Sequence, residues 1–199
     1  MTLRNAACAL AALLFATPCL AHGAFPGVND FQAGMLHPLL VTAHLLLLIA
    51  CGLLLGQQHR GPAQAMLGGL LAGLLVGLPL SVLAASWSKA LSIACLVAAL
   101  GTSLLVTSAR PTRRLTLIGL LAGLLVGIDS APARDPWQAV ATSLAGTGLG
   151  ALLMVCVIGG ALLGRHRHWQ RIGVRIVGAW IAAACLLVAS VELRRLGII

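Results

Sequence analysis

Residues 65–86 read AMLGGLLAGLLVGLPLSVLAAS, an unbroken run without a single charged side chain. A helix rising about 1.5 Å per residue would carry this run about 33 Å, enough to cross a hydrocarbon layer about 30 Å thick. The rest of the chain uses the same alphabet. Of its 199 residues, 60% are hydrophobic and only 9% charged, and the mean hydropathy is +1.03. A soluble domain carries about 25% charged residues, so this chain cannot cover a water-facing surface, and a soluble globular enzyme is excluded. Collagen and disorder are excluded too: the 23 glycines show no three-residue period, and leucine, alanine and valine dominate. The composition predicts an all-α polytopic membrane protein.

Working outward from 65–86, apolar stretches recur near 35–56, 89–108, 115–128, 138–163 and 172–191, which predicts six spans in a single transmembrane domain over 22–199. An alternative has five, with the last stretch not crossing. Pro62, Pro111, Pro132 and Pro136 fall in the expected connections, where a missing N–H is harmless. The formal net charge of +9 suggests nucleic acid at first sight, but the basic residues are scattered between apolar runs, where they set orientation instead. With the first span entering from outside, Arg60, Arg110, Arg113, Arg114, Arg165, Arg167, Arg171 and Arg175 lie at the inner face. Lys89, Arg134, Arg194 and Arg195 lie at the outer face, with all four acids, Asp30, Asp129, Asp135 and Glu192. The positive-inside rule favours this orientation.

The N-terminal 21 residues, MTLRNAACALAALLFATPCLA, have the build of a signal peptide: a positive Arg4, an apolar segment from Ala6 to Ala16, and Pro18 as a helix breaker. Cys19 and Ala21 are small residues at −3 and −1 of a cut after Ala21. The rival is an uncleaved anchor helix. A cut there makes His22 the new N-terminus, offering an amine and an imidazole to a late first-row metal. The expected location is the inner membrane of a bacterial cell, with the mature N-terminus periplasmic.

The nonapeptide GLLAGLLVG occurs twice, at 69–77 and 119–127. Trp87 and Trp137 keep the same offset of fifty, as do Ser92 and Thr142. The two copies fall in spans two and four, which run in the same direction, as in a parallel internal repeat; the alternative is chance repetition in a restricted alphabet. Each copy carries glycines four apart: Gly69, Gly73 and Gly77, then Gly119, Gly123 and Gly127. Such a stripe lets helix backbones approach closely and gain van der Waals contact. Spans two and four are therefore expected at the tight centre of the bundle.

Chemistry concentrates in the first span, HPLLVTAHLLLLIAC from His37 to Cys51. His37, His44 and Cys51 are seven apart, so on a straight helix they share one face about 10 Å apart along the axis. That is too far for two of them to hold one metal with bonds of about 2.0–2.1 Å, so successive stations down a pathway are expected. Ionisable groups at membrane depth default to functional hypotheses. The bland alternatives are an interfacial histidine at His37 and, for His44, a hydrogen-bond partner to Thr42, Ser81 or Thr147. Pro38 is placed in the first helical turn. Asp30, Asp129 and His22 are candidate metal ligands at an outer mouth that Asp135 also borders; the bland reading of DSAPARDP (129–136) is a polar turn. His59, His166 and His168 read as loop histidines. Cys51, Cys95, Cys156 and Cys185 read as small apolar core residues. No triad, HExxH or phosphate loop is present, so no enzymatic activity is expected.

The stretch from His22 to Gly56 resembles the HupE/UreJ family of small bacterial membrane proteins. The resemblance rests on a signal peptide ending just before a histidine, the lead Asp30-Phe31-Gln32-Ala33-Gly34, and His37-Pro38 followed by His44. The family motif runs His-Pro, two residues, Gly, one residue, Asp-His. Val41 stands where the Gly is expected and Ala43 where the Asp is expected, and the family's second His-rich motif has no counterpart in 115–128. The stretch RIGVRIVGAWIAAACLLV (171–188) also looks like that family's last helix. The resemblance implies transport or handling of a divalent transition metal, nickel first and cobalt second, with His37 and His44 as sequential ligands. It also implies supply to hydrogenase or urease maturation proteins. No permanently bound cofactor is expected, only transient Ni2+ or Co2+. The lipid bilayer is the expected partner, nucleic acid is not, and self-association stays open. The alternative is a non-transporting membrane assembly factor whose histidines are packed and hydrogen-bonded.

Overall fold

The computed structural model describes residues 28–83, 87–106, 111–131, 136–163 and 168–195. They form seven α-helices: α1 (Asp30–Leu40), α2 (Thr42–Gly56), α3 (Arg60–Ser81), α4 (Ser88–Leu105), α5 (Thr112–Ile128), α6 (Trp137–Leu162) and α7 (His168–Arg195). The all-α expectation holds among the described residues, and each predicted apolar stretch contains a helix, the first one interrupted at Val41. The leader 1–21, His22, Asp135 and His166 lie outside the described residues.

Four helices, α3, α4, α6 and α7, are long and apolar enough to cross a membrane; α1 and α2 together make a fifth candidate, bent by 77°. The sequence leads to six. The difference falls on the fourth stretch: α5 has 17 residues, about 26 Å of helix against about 30 Å of hydrocarbon.

The bend corrects the expectation of a straight first span. Asn29 caps α1 with a full capping box, its side chain accepting from the Gln32 N–H at 2.9 Å while Gln32 accepts from the Asn29 N–H at 3.2 Å. The helix therefore starts earlier than the apolar run suggests, and Pro38 lies in its interior instead of its first turn. A proline there cannot donate to the carbonyl four residues back and its ring crowds that carbonyl. Here that carbonyl belongs to Gly34, and the Thr147 hydroxyl donates to it at 3.1 Å, sharing its hydrogen with the Ser143 carbonyl at 3.1 Å. Val41 then turns extended (φ −84°, ψ 108°) and α2 starts afresh at Thr42. In α3 the helix also starts ahead of its apolar run, so Pro62 sits in the first turn, where proline is tolerated.

The repeated nonapeptides pack against each other. A Cβ on Gly69 would strike the Thr116 carbonyl, and one on Gly119 the Met66 carbonyl; Gly73 meets Leu120 and Gly123 meets Leu70. The contacts of Gly69 and Gly73 reappear on Gly119 and Gly123, fifty positions away, so α3 and α5 run parallel as a near two-fold-related pair. The expected position at the centre of the bundle does not hold. Leu71, Leu75 and Val76 of α3 and Leu117 and Leu121 of α5 face outward. The centre is α2, buried along most of its length from Ala43 to Gly56 and packed against α4 and α6. A helix apolar on all sides belongs inside, whereas a glycine stripe needs only one partner. Helix α6 serves both halves of the bent span: Gly146 and Gly150 receive Phe31 and Met35 of α1, and Gly159 receives Leu55 of α2.

Candidate functional site

The C-terminal end of α1, the N-terminal parts of α2 and α4 and the C-terminal end of α5 converge on one polar cluster. His44, in the first turn of α2, is fully buried (0% exposed). Its Nε2 lies 3.0 Å from Asp129 Oδ2. The same carboxylate oxygen accepts from Ser92 Oγ at 2.9 Å. Asp129 is the C-cap of α5, where its charge faces the negative end of the helix dipole. Bonds from His44 and Ser92 offset that placement, and only 4% of its side chain is exposed. Cys95, three residues beyond Ser92 and so on the same helix face, completes the group. One ligand atom each from His44, Cys95 and Asp129 lies within 4.8 Å of the others.

His37 reaches the cluster from α1. The break at Val41 folds its ring edge-on to that of His44, with centroids 5.5 Å apart. The two stations expected about 10 Å apart on a straight helix are thus neighbours. A neutral imidazole that donates from Nε2 to an ionised carboxylate keeps its lone pair on Nδ1. Among the described residues, neither His44 Nδ1 nor His37 Nε2 has a hydrogen-bond partner, and both are buried. Two imidazoles, a carboxylate and a thiol in a dry site make a donor set suited to late first-row metals.

Of the residues singled out from sequence, the structure brings His37, His44 and Asp129 together. Asp30 is exposed in the first turn of α1 and takes no part in the group of His44, Cys95 and Asp129. Cys51 is buried in the apolar core. Thr147 and Ser81, weighed as partners of His44, bond to backbone carbonyls instead. Asp129, read as part of an open mouth or a polar turn, points inward. Ser92 and Cys95 were not read as site residues. Their signal was present: two polar side chains one helical turn apart, near the start of the third apolar stretch.

The sequence matches the family model described as HupE / UreJ protein over residues 10–188. The chain belongs to the HupE/UreJ family. No curated protein and no solved structure matches it. HupE/UreJ proteins are membrane accessory or transport factors, not enzymes, known for nickel and cobalt handling in hydrogenase and urease maturation. In this HupE/UreJ chain the motif residues His37, Pro38 and His44 sit at the bend and the cluster. Ala43 replaces the motif Asp, and the carboxylate that meets His44 comes from Asp129 on another helix.

Proposed function

We propose that the protein carries a divalent transition metal, nickel first and cobalt second, across the inner membrane of a bacterial cell, through a site built on His37, His44 and Asp129. His22 and Asp30 serve as collecting ligands at the outer surface. One observation carries this reading: a buried histidine bonded to a buried carboxylate beside a second histidine, with two imidazole nitrogens left without partners. Ionisable groups held at membrane depth are costly and mark ion paths. In this reading the leader is cleaved after Ala21 and α5 also crosses, as the fourth of six spans, its length made up by the parallel partner α3. The metal is delivered to enzyme-maturation proteins on the inner side.

The test is nickel accumulation in cells expressing the wild type, His37→Ala or His44→Ala at matched membrane abundance, with cobalt, zinc and copper as competitors. Accumulation that disappears in both variants is the expected result. No accumulation by a folded wild type rejects transport. It would turn attention to the assembly-factor reading, which the completed Asp129–His44–Ser92 hydrogen bonds favour. That reading predicts capture of a maturation protein by the wild type and lower abundance, not lower flux, in His44→Ala.

A further inference from the structure

Cys95 is fully buried (0% exposed), and an apolar core explains a buried thiol without further argument. Its neighbours do not fit that explanation. The sulfur shares a space of 4.8 Å with donor atoms of His44 and Asp129, on the helix face from which Ser92 bonds the same carboxylate. A fully buried imidazole with an unpartnered Nδ1 belongs to the same cluster. Two ligands on one tetrahedral ion, at bond lengths of about 2.0–2.3 Å, stand about 3.3–3.7 Å apart. Closing from 4.8 Å requires side-chain adjustments of about an ångström, within reach of rotamer relaxation. The cluster also joins three helices, so no single helix dictates its spacing.

We propose that Cys95 is a direct ligand of the transported metal, forming with His44 and Asp129 a mixed sulfur, nitrogen and oxygen site. This rests on the transition-metal reading above and sharpens it. The ligand is the thiolate, so binding releases the thiol proton to solvent as the sulfur–metal bond forms. A sulfur donor beside imidazole favours Co2+, Ni2+ and Zn2+ and disfavours Mg2+, Ca2+ and Mn2+, which prefer all-oxygen sites. Neither the glycine stripe nor the two histidines alone would impose that choice. Cys51, Cys156 and Cys185 lie outside the group, which makes the sulfur assignment specific.

The experiment uses the full-length protein in detergent, titrated with Co2+ and followed by electronic absorption. The wild type, Cys51→Ser, and a variant retaining Cys95 as its only cysteine should show a thiolate-to-cobalt charge-transfer band in the near ultraviolet. Cys95→Ser should lose the band, keep the visible ligand-field bands of a histidine-bound ion, and bind Co2+ about tenfold or more weakly. Mn2+ should not compete in the wild type. Cobalt bound without the charge-transfer band, or a band that survives Cys95→Ser, overturns the role of Cys95 and leaves the metal reading standing. A folded wild type that binds no cobalt overturns both. Should Cys95→Ser fail to fold, X-ray absorption of the cobalt-loaded Cys95-only protein decides: a sulfur neighbour supports the proposal and a shell of nitrogen and oxygen alone rejects it.

Discussion

At the scale of single residues, the cluster turns on the charge of Asp129. Its carboxylate sits at the wrong end of a helix dipole and is held by two hydrogen bonds. Asp129→Asn keeps an acceptor oxygen for both His44 and Ser92 while removing the charge. Membrane abundance should therefore stay near wild type while metal accumulation falls by about tenfold or more; retained accumulation would show that the charge is dispensable. His44→Ala is harsher, because it leaves a buried carboxylate with only Ser92 as partner. Removing one member of a buried pair costs about 3–5 kcal/mol, so this variant should lower the unfolding temperature in detergent as well as the accumulation. An unchanged unfolding temperature would mean that the Asp129 charge is solvated some other way.

At the scale of elements, two devices carry the architecture. The first is the proline break. Pro38→Ala restores an N–H to the Gly34 carbonyl and removes the ring that crowds it, so α1 and α2 can straighten through Val41 and separate His37 from His44. Accumulation should fall with abundance unchanged, while Thr147→Val, which removes the hydroxyl that serves the freed carbonyl, should cost stability of about 0.6–2 kcal/mol. Equal behaviour of the two variants in both assays would show that the bend does not position the rings. The second device is the paired stripe. A Cβ at Gly73 would strike the Leu120 backbone, whereas one at Gly68 meets nothing within 4 Å. Gly73→Ala should destabilise by about 1–3 kcal/mol through overpacking. Gly68→Ala should be neutral or gain up to about 1 kcal/mol of helix propensity. Thermal unfolding of the two purified variants separates these outcomes, and similar midpoints would dissolve the stripe argument.

At the scale of the whole molecule, α3 and α5 run parallel, as do α2 and α6, which is the relation that alternate crossings require. With the six crossings and outer N-terminus of the proposed function, alkaline phosphatase fused after Ile199 should be active and a fluorescent protein fused there dark. The opposite pattern would remove one crossing, with α5 the first suspect because of its length.

Much of this was legible along the chain. The long unbroken apolar runs point to helices in lipid, since a backbone without water must satisfy its own hydrogen bonds and the strands of a barrel would alternate apolar and polar residues. The fifty-residue repeat and its glycines predict a parallel, closely packed pair, because contact along a stripe depends only on spacing within each helix. The family follows from His37, Pro38 and His44 with the general layout. What the tertiary structure decided is where those residues meet. Whether Pro38 starts a helix or breaks one depends on Asn29 setting the start and on Thr147, more than a hundred residues away, accepting the break. That Asp129 turns inward, and that Ser92 and Cys95 stand opposite it, depends on which helix ends lie side by side. Spacing along one helix cannot reveal such a cluster, because each helix contributes only one or two of its members and only the packing of the bundle sets the distances between them.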